Sequence, residues 1–282
     1  MTTSTVVVDD AEIEYTDTGA GSPLVFVHGA YVTGALWDDA IARLSENHRC
    51  VAPTWPFGAQ RRPVGADIDL GVVAAGRRVI GLLEQLDLRD VTLVANNSGG
   101  GIVLSALGIP GLDWSRVSRL VFTNCDSFEH FPPKSFAPLV KLCKFSAGAG
   151  ALAMRALATP PGLAFFKRAV TKHGIAKDRD SAIFGGFLGS ADVRREAVRF
   201  SAALSPRHTT SAVPAIRKWS TPVLVVWGTQ DKLFPVSHAE RLVEAFPDAT
   251  LRLVEGSSTY VMVDRPLETA DAIAAFVAGS QP

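Results

Sequence analysis

The sequence predicts an α/β fold: a doubly wound, mostly parallel sheet with an inserted helical lid. Three observations predict it. Short apolar, β-branched runs alternate with longer amphipathic stretches. The runs lack the polar alternation of a half-exposed strand, as strands covered on both faces should. The alternation stops after Asp126 and resumes only at Val223.

Leu24–Val27, Cys50–Ala52, Val91–Val94, Leu120–Phe122 and Val223–Val226 read as buried strands. Between them, Ala74 to Leu88 carries Val79, Leu82, Leu83 and Leu86 at helical spacing. Strand–helix alternation of this kind argues for a parallel sheet with helices on both faces. Thr5–Asp9 and Glu12–Thr16 read as an antiparallel hairpin at one edge. From Ser127 to about Ser220 only helical patterns follow, punctuated by Pro132-Pro133, Pro160-Pro161 and Gly185-Gly186; the strand rhythm resumes at Val223 and the chain ends on a helix from Leu267 to Val277. The expected division is a core of residues 1–126 and 217–282 with a cap of residues 127–216. An insert at the carboxyl ends of a parallel sheet covers the crevice where such sheets bind ligands.

Composition bounds the function classes. With 282 residues and 47% hydrophobic content, the chain can bury a sizeable core. Its 28 Lys and Arg balance 28 Asp and Glu, so the whole-chain balance favours neither nucleic acid nor an anionic membrane as partner. Cys50, Cys125 and Cys143 are too few and too scattered for a disulfide framework or a zinc pair. The opening MTTSTVVVDDAEIEY has no cationic start or long apolar run, so neither a signal peptide nor a spanning segment is expected. The expectation is a soluble cytoplasmic monomer or homodimer without metal or cofactor.

Four landmarks then fall in order: His28-Gly29-Ala30 after a strand, the Ala95–Gly101 turn between strand and helix, Gly228-Thr229-Gln230-Asp231 after a strand, and Glu255–Tyr260 after the last strand. A sharp strand-to-helix turn crowds the neighbours of its apical residue, and small residues two before and two after relieve the crowding. Ala95 and Gly99 stand there around Asn97. Ser98, opening the helix, would aim its N–H at a developing oxyanion, with Gly29 or Ala30 as the second donor. This series resembles the α/β-hydrolase superfamily across nearly the whole chain, and thus implies the α/β-hydrolase fold. The turn is most similar to Asp-nucleophile members, haloalkane dehalogenase- and epoxide hydrolase-like, that read Asn-Asp-(Thr/Ser)-Gly-Gly.

The chain departs from that pattern twice. Asn97 stands where the resemblance expects Ser, Cys or Asp, and an amide is a poor nucleophile. Three readings are open: an Asp→Asn form made to trap a ligand, a natural member without covalent catalysis, or a shifted register with Ser98 at the apex. A plain helix N-cap is the bland reading of Asn97. The second departure is the base: the slot that the family gives to histidine reads Ser258-Thr259-Tyr260, and no histidine follows His238. Thr259 cannot act as a base, and Tyr260 is protonated at neutral pH.

The remaining candidates are weighed around that gap. Asp231 matches the triad acid, with Asp126 as the alternative at another strand end. His28 is the one histidine expected near the crevice, hence a candidate base, although such a residue more often supports its loop. Asn124 is a candidate donor into the pocket, and Trp37, Tyr260 and Trp55–Gly58 are candidate pocket or rim residues. Arg61 and Arg62 read as a solvated pair or an anion contact. Phe131, Phe136, Phe165, Phe166, Phe184 and Phe187 would give the lid an aromatic underside, and helix packing explains them as well. The resemblance implies an enzyme acting on a largely apolar small molecule by epoxide, halide or ester hydrolysis. A non-hydrolytic cyclase, lyase or isomerase of natural-product metabolism is the first alternative, and a non-catalytic ligand-binding protein the second.

Overall fold

A computed structural model describes residues 2–279. Its centre is an eight-stranded sheet: β1 (Thr2–Val8), β2 (Ala11–Thr18), β3 (Ser22–Val27), β4 (His48–Thr54), β5 (Val91–Asn97), β6 (Val117–Cys125), β7 (Val223–Gly228) and β8 (Ala249–Val254). Their spatial order is β1-β2-β4-β3-β5-β6-β7-β8. β1 and β2 form the expected hairpin, longer than the apolar runs alone indicate, and β2 joins β4 antiparallel. Asp9 and Asp10 make its two-residue turn with φ of 48° and 59°, as a turn matching the strand twist requires. All other pairings are parallel. The chain runs from β3 outward to β4, then crosses back to β5 on the other side. The carboxyl ends of β3 and β5 therefore flank the point where such a sheet opens a crevice.

Helices α1 (Asp38–Leu44), α2 (Val72–Gln85) and α3 (Ser98–Leu107) connect the first strands. Between β6 and β7 lie seven α-helices and no strand: α4 (Ala137–Phe145), α5 (Ala147–Leu157), α6 (Pro160–Val170), α7 (Asp180–Gly189), α8 (Ala191–Ala203), α9 (Pro206–Ser211) and α10 (Val213–Ile216). α11 (Val236–Ala245), α12 (Val261–Asp264) and α13 (Pro266–Val277) complete the chain. α2 ends at Gln85, short of Leu88, because Asp87 turns to φ 42°.

Capping explains where the inserted helices begin. Ser146, Thr159, Ser190 and Ser205 each accept a backbone N–H of the helix they precede. Pro160-Pro161 does not interrupt a helix but opens α6, where a missing N–H costs nothing. Gly185-Gly186 is no break either: both residues lie inside α7. A Cβ on Gly186 would fall 1.8 Å from the Gln60 carbonyl oxygen, whereas one on Gly185 would meet nothing within 4 Å. Gly186 is thus the contact that seats α7 on the 59–60 backbone.

The pair makes a clean test of that contact. Gly186→Ala should lower unfolding stability by about 1–3 kcal/mol through overpacking. Gly185→Ala should raise it by about 0.5–1 kcal/mol through helix propensity. Chemical denaturation reads both, and equal effects would contradict the close approach.

Candidate active site

β5 ends on Asn97 and α3 begins on Ser98, so the chain reverses its course within one residue. Asn97 takes φ 53° and ψ −130°, a sparsely populated conformation for a non-glycine residue. This places Asn97, not Ser98, at the apex. Three glycines permit it. A Cβ on Gly99 would lie 2.5 Å from the carbonyl oxygens of Val27 and His28, and one on Gly100 would lie 2.3 Å from Cys125 Cβ. A Cβ on Gly29 would strike the Asn97 side chain at 2.6 Å. β3, α3 and β6 close around the turn through these contacts.

The Asn97 amide is oriented by its neighbour. Its Oδ1 accepts the Ser98 backbone N–H at 2.7 Å and the Ser98 hydroxyl at 3.1 Å. Asn97 is thereby also the N-cap of α3. The N–H expected to face a developing oxyanion is engaged by this amide oxygen. The Nδ2 group makes no hydrogen bond among the described residues, and Asn97 borders a cavity. Ala30, Tyr31 and Ser98 line the same cavity with Phe136, Val140, Phe166, Val170 and Leu204. Tyr31 is fixed there by its hydroxyl against Ser201 Oγ at 2.5 Å and by stacking on Phe187. Of the lid aromatics, Phe136 and Phe166 reach this cavity, Phe131, Phe184 and Phe187 are buried, and Phe165 faces outward.

Asp231 lies at the carboxyl end of β7 and is buried. Its Oδ1 accepts from Leu233 N, Phe234 N and Thr259 Oγ1 at 2.7, 3.1 and 3.0 Å, and its Oδ2 from Asn124 Nδ2 at 2.8 Å. Burial raises its pKa to about 6, with these donors pulling the other way. The partner that a triad acid would give to histidine is here Thr259, whose hydroxyl donates to the carboxylate. Asn96 holds the other side of Thr259: its Nδ2 donates to the Thr259 carbonyl at 2.8 Å and to Thr123 Oγ1 at 2.9 Å. Asn96 is not among the candidates that the sequence singles out. Its position one residue before the apex is the available signal.

Several candidates take other roles. His28 is not placed as a base. It is fully buried, its Nε2 accepts the Trp55 N–H at 2.8 Å, and its Nδ1 donates to the Gly29 carbonyl at 2.8 Å. Burial depresses its pKa to about 4, so it is a neutral brace between the β3 and β4 loops. Asn124 does not donate into the pocket: it accepts from Gly228 N at 2.6 Å and donates to Asp231 and to the Gly228 carbonyl. It clamps β6 to β7 instead. Trp37 is buried against Phe26 at 4.9 Å, and Trp55 is buried with its Nε1 on the Phe26 carbonyl. Neither borders the cavity. Tyr260 is buried outside the cavity lining, its N–H on the Val170 carbonyl, and burial pushes its phenol up. Arg61 and Arg62 are exposed and pair with Glu14 and Glu12.

Asp126 follows β6 beneath the turn. It is fully buried, and neither carboxyl oxygen has a hydrogen-bond partner. Burial drives its pKa well above the usual carboxylate range. The Ser98 hydroxyl offsets this in part, without a hydrogen bond of normal geometry, and Asp231 adds to the rise. An unpaired buried carboxylate is costly, so the acid is held in its neutral form. Among the described residues no cluster of His, Cys, Asp and Glu could hold a metal ion.

A turn of this geometry at the carboxyl edge of such a sheet, with helices inserted after the sixth strand, defines an α/β-hydrolase architecture. The chain belongs to the alpha/beta hydrolase family, whose model matches residues 24–272. Among curated relatives, the haloalkane dehalogenase 2 of Mycobacterium tuberculosis (strain ATCC 25618 / H37Rv) is 28% identical over 93% of this chain and 90% of its own. The non-heme chloroperoxidase CPO-A1 of Kitasatospora aureofaciens is 28% identical over 89% of each. The solved haloalkane dehalogenase DbeA of Bradyrhizobium elkani USDA94 superposes with a TM-score of 0.81 at 14% identity, covering 99% of this chain and 98% of that one. An alpha/beta hydrolase fold protein of Burkholderia ambifaria gives 0.81 at 22%, covering 98% and 97%.

The two buried acids predict an unusual pH response. A carboxyl whose pKa rises on folding leaves the native state holding a proton that the unfolded chain releases. Stability then falls as pH rises above about 4. For Asp231 the fall ends near its native pKa of about 6; for Asp126 it extends further. Asp126→Asn should remove up to about 1.4 kcal/mol per pH unit of that slope. Urea unfolding at several pH values measures it, and an unchanged slope would mean that Asp126 is not neutral in the fold.

Proposed function

We propose that this α/β-hydrolase-family enzyme acts on a largely apolar small molecule that Asn97 holds by hydrogen bonding, with no enzyme–substrate ester. The observation that carries the reading is the Asn97 amide itself: its oxygen accepts from Ser98, its Nδ2 makes no hydrogen bond among the described residues, and Asn97 borders the cavity. Such a donor among aromatic and aliphatic walls suits one acceptor on an otherwise apolar ligand, a carbonyl or ether oxygen.

The missing base supports the same reading. Hydrolysis of a covalent ester needs water activated by a general base. Thr259 sits on Asp231 and has no basic group, and His28 spends both nitrogens on backbone. Isomerase, lyase or cyclase chemistry needs orientation, a dry cavity and proton transfer, and needs no covalent ester. The helices of residues 127–216 act as the lid that keeps the cavity dry. Epoxide, halide or ester hydrolysis is the second reading. The relatives' names favour it, and it requires a nucleophile that the turn lacks.

The test is direct. The protein is incubated with panels of esters, epoxides and bromoalkanes and with apolar ketones, then followed by intact mass and thermal shift. The expected result is stabilisation by apolar ketones and no added mass with any compound. Asn97→Ala should weaken that stabilisation, with binding down about fivefold for one lost hydrogen bond. A covalent adduct on the native chain would overturn the proposal.

A further inference from the structure

The chain's neutrality is an average over two unlike parts. Residues 127–216 carry 13 Lys and Arg against 5 Asp and Glu, which leaves 15 against 23 for the rest. The imbalance concentrates further. From His130 through Lys177 stand 8 Lys and Arg and no acidic residue. That stretch builds α4, α5 and α6, which follow one another and pack together, α4 on α5 and α5 on α6.

The outward faces of these helices are also apolar. Phe145 is 88% exposed, Phe165 69% and Leu152 68%, and Leu142 of α4 is exposed as well. Large exposed apolar side chains gathered on helices that pack together mark an interaction site. Cations share the same helical stripes: Lys141 with Leu142 and Phe145, Arg155 with Leu152, Arg168 with Phe165. None of these three cations forms an ion pair among the described residues. Beside them, Leu152 and Arg155 open onto a shallow groove shared with Arg194 and Arg195 of α8.

We propose that the outer face of α4–α6 docks on an anionic lipid surface. Aromatic and leucine side chains enter the boundary between headgroups and acyl chains, while Lys141, Arg155 and Arg168 meet the headgroup phosphates. The docking is peripheral, since no helix among the described residues is long and apolar enough to cross a membrane. The same helices wall the cavity from within: Phe136 and Val140 at α4, Phe166 and Val170 on α6. Phe165 and Phe166 are consecutive, yet Phe165 is exposed while Phe166 lines the cavity. An apolar substrate dissolved in the bilayer would therefore meet the lid at its entrance. That last link rests on the proposed reading of the cavity; the docking does not, and vesicle binding tests it without any turnover.

The full chain is sedimented with vesicles of phosphatidylcholine containing phosphatidylglycerol and with vesicles of phosphatidylcholine alone. Binding to the anionic vesicles, released by salt, is expected. Lys141→Glu/Arg155→Glu/Arg168→Glu should weaken it at least about tenfold. Phe145→Ser/Phe165→Ser should weaken it at unchanged charge. All five positions are on exposed faces, and circular dichroism checks that both variants fold. Failure to bind anionic vesicles, equal binding to neutral ones, or indifference to both variants would each overturn the proposal. So would a solution dimer that the triple variant dissociates, which would assign the face to a second copy of the chain.

Discussion

Everything at the carboxyl edge of the sheet depends on one backbone conformation. Asn97 sits at φ 53°, a strain of about 1–3 kcal/mol that persists only where the surroundings over-determine it. They do so here from three sides. β3 presses in through Gly29, α3 folds back through Gly99 and meets β6 through Gly100. The amide side chain adds its own bonds to the start of α3. The fold thus keeps the strained turn intact even though the residue it presents cannot attack a substrate. Retention of strain without the nucleophile it usually serves is the reason to read Asn97 as a binding group.

The second constraint is the network behind the turn. Asp231, Asn124, Asn96 and Thr259 are tied to one another and to the ends of β6 and β7. In such a closed network each buried polar group satisfies the next, and removing one exposes the others. Asp231 needs no histidine to be satisfied: two backbone amides, a side-chain amide and a hydroxyl already surround it. Asp126, by contrast, is buried with neither carboxyl oxygen in a hydrogen bond of normal geometry. Neutralisation is its way to remain in the core, and this separates the chemistry of two aspartates at neighbouring strand ends.

The sequence made the frame legible and hid the contacts. Strand runs, small residues around Asn97 and the order of landmarks are local signals, and local signals survive in a one-dimensional string. Pro160-Pro161 and Gly185-Gly186 show the limit, because both read as breaks. The first is a helix start set by the Thr159 cap, and the second is a packing contact with residues distant in sequence. His28 and Asn124 were chemically plausible site residues, yet each is spent on backbone groups more than twenty residues away. Charge was hidden by summation: a neutral total carried no trace of a cationic insert above an acidic core.

The most direct test of the account is to restore the missing groups one at a time and count product. Asn97→Asp supplies a nucleophile; Thr259→His added to it supplies a base beside Asp231. Both forms are given a bromoalkane in excess, and released bromide is measured per chain. At most one equivalent is expected from Asn97→Asp and repeated turnover from the double variant. Repeated turnover by Asn97→Asp alone would show that a base already serves the crevice, and would contradict the reading of Thr259 as the occupant of its place.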